Sequence, residues 1–279
     1  MRRRHALMLI AGVFAASCGE LRRVGPGYSE RPGTPGPTAT PRSLIDIARA
    51  GSVRVGFNTG GTGTSLVRYT GTTFTGVNWL IAQEIGRDLG VAVDPVSFSS
   101  HSKVLDGGSA SLWDIAFIPV DATQPRVVFS NPYLIFDWAY LVPGPSPVRR
   151  SADADRTGYR IAVHAETRLD EYLSRSLKFA KVVQTSGGPI SVDMVNRGDA
   201  EVVGASVSSM SDLLAMLPGG RVLDDPVLRD PWGIAAVKGQ TDVQTFVTSW
   251  VEQAKATGFL KDVIERSGLR GVTVAPSGP

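Results

Sequence analysis

The chain has 279 residues, of which 42% are hydrophobic and 20% charged, enough to fill one or two packed cores and too apolar for disorder by composition. Its formal net charge of +3 originates in the first 17 residues, which carry three arginines and no acid, so 29 Lys+Arg against 26 Asp+Glu becomes 26 against 26 without them. That balance excludes a nucleic-acid or anionic-membrane partner recognised through net charge alone.

Met1–His5 is basic and Ala6–Ala16 is an apolar run too short to cross a bilayer, so residues 1–17 are expected to form an export signal. The run ends Ala15-Ala16-Ser17-Cys18, and Cys18 is the single cysteine. This resembles the lipobox of bacterial lipoproteins and implies a lipid on Cys18 that anchors the protein to the cell membrane. An ordinary cleavage site followed by a free thiol is the alternative, and a free thiol is uncommon in an exported protein. Arg3-Arg4 leaves Sec and twin-arginine export both open. Residues 18–42 are rich in Pro and Gly without apolar periodicity, which predicts an extended tether.

From Ser43 onward, strands and helices alternate. Ser43–Ala50 predicts a helix, Val53–Phe57 a strand, Val77–Gly90 a helix stopped by glycine, and Val91–Phe98 a second strand. Gly60–Gly63 fails both the dinucleotide and the phosphate-loop patterns and predicts a surface loop. Ser100-His101 opens the next helix. Trp113–Ile118 is a nearly continuous apolar run, as expected of a strand buried on both faces. Asp121 followed by Gln124 three residues later has the form of a capping box and predicts a short helical turn, with Arg126 on it. Further strands are expected at Trp138–Val142, Gly158–Val163, Val182-Val183, within Arg197–Val203 and at Pro231–Lys238. Helices are expected at Thr167–Leu177, Ile190–Asn196, Met210–Leu217, Val243–Ala256 and Phe259–Arg266, and Gly271–Pro279 as a polar tail.

Three pieces of this pattern, Asp114–Ile118, Thr123-Gln-Pro-Arg126 and Phe129-Ser-Asn-Pro-Tyr133, resemble bacterial extracellular solute-binding proteins of the polar amino-acid type, which feed ABC importers. The resemblance runs from about Val53 to the C-terminus. It implies an α/β, two-lobed periplasmic-binding-protein-like fold of type II, each lobe a mostly parallel sheet flanked by helices, with two crossing strands as hinge. Lobe 1 would comprise 44–143 plus 233–279 and lobe 2 144–232. It further implies that Arg126 clamps a ligand carboxylate, that the Thr167 hydroxyl and the amides of the helix it opens hold an anionic group, beside a plain N-cap role for Thr167 that would hold in either case, and that Asn58, His101, Asp121 and Ser206 stand at ligand-contacting positions. Departures are Glu166, where relatives have Gly before the Thr, and Ser206, where binders of α-amino acids place an Asp for the ammonium. Asp121 either caps its turn or also faces the ligand, and Arg126 either meets the ligand or pairs with a neighbouring carboxylate. The expected partners are a small polar solute and a membrane permease, with the protein a monomer and with no catalytic residue, metal or cofactor implied. The rival readings on the same fold are a dehydratase-type enzyme and a ligand-sensing subunit of a signalling receptor.

Overall fold

The computed structural model describes residues 40–60 and 66–278. The expected export segment, Cys18, the expected tether through Ala39 and the glycines at 61 and 63 lie outside the described residues.

Local chemistry sets the element ends. In α1 (Leu44–Ala50) the Ser43 side chain accepts from Asp46 N, Asp46 reciprocates to the Ser43 backbone, and left-handed Gly51 (φ 68) stops the helix. Next come β1 (Ser52–Asn58) and a small hairpin, β2 (Arg68–Tyr69) with β3 (Phe74–Thr75), closed by Tyr69 stacked on Phe74 at 4.5 Å. Helix α2 (Val77–Leu89) ends at left-handed Gly90, as its sequence predicts. Then follow β4 (Ala92–Phe98), α3 (His101–Ser109), β5 (Ile115–Pro119), β6 (Val127–Phe129) and the long β7 (Leu134–Val142). The second run is β8 (Arg160–His164), α4 (Arg168–Ser176), β9 (Lys181–Thr185), α5 (Gly188–Arg197), β10 (Val202–Ser206), α6 (Met210–Ala215) and β11 (Arg221–Val222). The long β12 (Leu228–Val237), α7 (Thr241–Ala256), α8 (Phe259–Ser267) and β13 (Val272–Val274) complete the chain.

The two runs repeat one topology. In the first, β4, β1 and β5 lie side by side and parallel, and β12 joins β5 antiparallel. In the second, β9, β8 and β10 do the same, and β7 joins β10 antiparallel. β7 and β12 also pair with each other, from Leu228 opposite Trp138 to Trp232 opposite Leu134, and so link the two halves. Both long strands therefore belong to both halves, an arrangement suited to a hinge. Strand β5 is buried throughout: Ile115 and Phe117 enter the large core, while Ala116 and Ile118 enter a smaller one with Val104 and Trp113. In the second half, Ile161 and Val163 take one face and Ala162 the other.

Three expectations need correction. Residues 121–124 form a tight non-helical turn, because the Asp121 carboxylate binds the Thr123 amide at 2.9 Å instead of capping a helix. The stretch Gly271–Pro279 is not a free tail, since β13 pairs with β7 and Val272 and Ala275 are buried. Arg42, placed at the end of the tether, is docked on Asp114 and donates to Ser52 O at 3.1 Å. The chain thus enters the folded body beside the amino ends of β1 and β5.

Candidate functional site

Parallel α/β sheets offer ligands the loops beyond their carboxyl ends. Here those ends converge from both halves. Asn58 closes β1, His101 follows β4, His164 to Arg168 follow β8, and Ser206 closes β10. A cavity of about 90 Å³ between them is lined by Asn58, His101, Trp138, Glu166, Thr167, Arg168 and Trp232, among others. It shares Trp138, His164 and Thr167 with a neighbouring, mostly apolar cavity of about 210 Å³ that reaches Ser206, Leu213 and Met216. A third space of about 180 Å³ lies under His101, Asp121 and Arg168.

The lining of the first cavity is polar and incompletely satisfied. His101 begins α3 behind the Ser100 cap and meets Trp232 edge-on, ring centroids 5.4 Å apart. Burial, with a smaller contribution from Arg168, pushes its imidazole down to about 4, so His101 is neutral at pH 7. His101 Nε2 and Trp138 Nε1 are buried without a hydrogen-bond partner, while the buried Trp232 indole is turned to the Asp230 carboxyl. Such atoms are costly to leave bare and are natural ligand contacts.

Arg168 is the half-buried cation of the cavity. Its Nε donates to Asp230 Oδ1 at 3.1 Å and its Nη1 to Glu171 Oε2 at 3.3 Å. Asp230 lies on β12 and is fully buried. Burial raises its carboxyl to about 6 against the opposing pull of Arg168 and of the Trp232 indole.

Of the six expected positions, the structure brings Asn58, His101 and Thr167 together around one cavity, and Ser206 and Thr167 around the adjoining one. Thr167 does cap α4: its hydroxyl accepts from Asp170 N at 3.3 Å and donates to His164 O at 2.8 Å. The Ser206 hydroxyl is within 3.0 Å of Ser208 Oγ and 3.1 Å of Ser209 Oγ. Asp121 reaches only the third space, and both its oxygens serve its own turn, accepting from Thr123 N, Thr123 Oγ1 and Gln124 Nε2. These bonds, the Thr123 hydroxyl foremost, hold its carboxyl below the ordinary range.

Arg126 is placed elsewhere, and the register of β6 explains why. Val127 pairs with Val237, and the Arg126 carbonyl accepts from Lys238 N at 3.0 Å. On the same strand, Ala236 faces Ile115, the first residue of β5. Arg126 therefore sits at the amino end of the sheet, remote from the cleft, where its Nη1 donates to Ser109 Oγ at 2.9 Å and lies 3.7 Å from Asp106. It pairs with a neighbouring carboxylate and does not face Thr167. Trp138, Arg168, Asp230 and Trp232 were not anticipated as site residues. The signal for Arg168 was its place directly after the helix-capping Thr.

Among the described residues, no group of three or more His, Cys, Asp or Glu could hold a metal ion, and no helix is long and apolar enough to cross a membrane.

No protein-family model matches the chain, and no curated protein matches it significantly. Solved structures do. A variant of ArgBP from T. maritima is 22% identical, over 81% of this chain and 98% of that one, with TM-score 0.63. A putative binding component of an ABC transporter from Wolinella succinogenes, complexed with lysine, is 21% identical over 77% and 95%, with TM-score 0.65. An ancestral amino acid-binding protein, described as a precursor of cyclohexadienyl dehydratase, is 21% identical over 80% and 98%, with TM-score 0.64. At these identities the likeness shows the fold, the two-lobed α/β architecture of periplasmic binding proteins.

Proposed function

We propose that this protein is an extracytoplasmic receptor that captures an amino acid or related small polar solute between its lobes and delivers it to an ABC importer. The carrying observation is one cavity in which the unpartnered buried nitrogens of His101 and Trp138 meet Trp232 and the half-buried Arg168. His101 comes from one half, Arg168 from the other, and the two indoles from the crossing strands. A solute held by all four favours the closed arrangement, because only closure lets both halves touch it. The lobes are 44–143 with 233–279, and 144–232, and the receptor acts as a monomer without catalysis. Arg168 takes the carboxylate, since a guanidinium binds it through paired charge-assisted bonds. The solved structures of like fold that are described as binding proteins support the solute class.

The test is calorimetric titration with a panel of amino acids, polyamines and small organic acids. Arg168→Ala should weaken the tightest binder about 100-fold, roughly 2.7 kcal/mol, whereas Arg126→Ala should leave its affinity unchanged. Loss of binding in the Arg126 variant with retention in the Arg168 variant would place the site elsewhere.

Membrane attachment through Cys18 belongs to the same reading, supported by the apolar run before it and the Pro/Gly-rich stretch after it. Cys18→Ser should leave uncleaved precursor or release protein into the soluble fraction. Normal processing and full membrane retention of that variant would remove the anchor from the proposal.

A further inference from the structure

Glu166 stands where the backbone asks for glycine. Its φ of 59 is left-handed, and among the described non-glycine residues only Ser111, at φ 53, shares that region. The chain leaves β8 at His164 and enters α4 behind Thr167, and this conformation lets the Glu166 amide donate to Asp170 Oδ2 at 3.1 Å. Glycine would make the turn without the steric penalty that a Cβ brings. The strain therefore carries a side chain that the turn itself does not require.

That side chain is exposed and lines the polar cavity, and its carboxylate makes no hydrogen bond or ion pair with any described residue. It is the one carboxylate among the described residues lining that cavity. Of the other positions expected from the sequence to receive a cation, Asp121 is bound within its own turn and Ser206 sits among hydroxyls, while Asp212 lines only the adjoining cavity. Glu166 and Arg168 flank the same helix cap two residues apart, a negative and a positive group on one wall. The buried, unpartnered indole nitrogen of Trp138 belongs to the same cavity.

We propose that Glu166 is the cation acceptor of the site, receiving the ammonium of an amino-acid head whose carboxylate Arg168 holds. This rests on the receptor reading and adds to it the residue that selects a zwitterion over a simple acid. A purely local role is the alternative, in which the carboxylate is favoured by the amino end of α4 and never meets a solute.

Titration of the wild type, Glu166→Gln and Glu166→Gly with the twenty standard amino acids, and with the Nα-acetyl form of the tightest binder, separates these. Glu166→Gln should weaken that binder at least tenfold with Tm nearly unchanged. Glu166→Gly should weaken it equally while raising Tm by about 2 °C, because the strain is relieved. The Nα-acetyl form should lose binding to the wild type. Wild-type affinity in Glu166→Gln, or undiminished binding of the acetylated form, overturns this inference and leaves the receptor reading intact. Failure of every amino acid to bind the wild type overturns this inference and the amino-acid form of that reading together.

Discussion

Asp114→Asn is expected to destabilise the protein by about 3–5 kcal/mol, the range for removing one partner of a buried ion pair. Asp114 precedes β5 with its side chain fully buried, and it faces two guanidinium groups. Arg54 donates from Nη2 at 2.6 Å and from its backbone amide at 2.8 Å, while Arg42 donates from Nε at 3.0 Å and from Nη2. Burial alone would raise the Asp114 carboxyl, but the bonds from Arg42 and Arg54 overcome it and hold the group below the ordinary carboxylate range. The amide keeps the shape and removes the charge, leaving two partly buried guanidinium groups without the carboxylate that binds them both. Arg42→Ala should cost less, about 1–2 kcal/mol, because Arg54 still neutralises the carboxylate. Urea unfolding of both variants checks this. A loss below 1 kcal/mol for Asp114→Asn would mean that the cluster is worth no more than a surface pair. The cluster also fixes where the upstream chain joins the body, at the end of the sheet opposite the cleft, so a change there should leave solute affinity untouched.

The contrast between Asp114 and Arg126 marks what the sequence alone could reveal. The apolar run Trp113–Ile118 was legible because a strand covered on both faces needs apolar residues at every position. Gly51 and Gly90 were legible stops because left-handed caps favour glycine. The cap at Thr167 was legible because an N-cap bond spans only three residues. Arg126 was misplaced because its position depends on how β6 registers against β12, a pairing across about a hundred residues that leaves no local trace. The Arg168–Asp230 bond spans 62 residues and was invisible for the same reason. At Asp121, capping box and side-chain turn begin with the same residue types, and only the route of the following chain into β6 decides between them. The strand hidden in Gly271–Pro279 is three residues long, too short for an alternating pattern to show.

Stability of the wild type is expected to be nearly flat from pH 6.5 down to about 4.5, because two cleft residues titrate with opposite sign. His101 is held neutral in the fold, its imidazole lowered from 6.5 to about 4. Above pH 6.5 that costs nothing. As pH falls towards 4 the unfolded chain takes up a proton that the folded chain refuses, and stability is lost. Asp230 runs the other way, its carboxyl raised from 3.8 to about 6. Below pH 6 the folded chain holds a proton that the unfolded chain releases until about 3.8, so acidification relieves the penalty of a buried charge. Each term amounts to about 2 kcal/mol over this window, at about 1.4 kcal/mol per pH unit, and they offset. Carboxyls held below their ordinary values, such as Asp114 and Glu201, lose their contributions mainly below it. Single substitutions should expose each slope. His101→Gln leaves Asp230 alone, so stability should rise by about 2 kcal/mol on going from pH 6.5 to 4.5. Asp230→Asn should show the reverse slope, superimposed on a constant loss from stripping Arg168 of its buried counter-ion. Urea midpoints measured across the window decide the matter. A steep wild-type decline, or a His101→Gln profile parallel to it, would mean that these two groups are not opposed in the folded cleft.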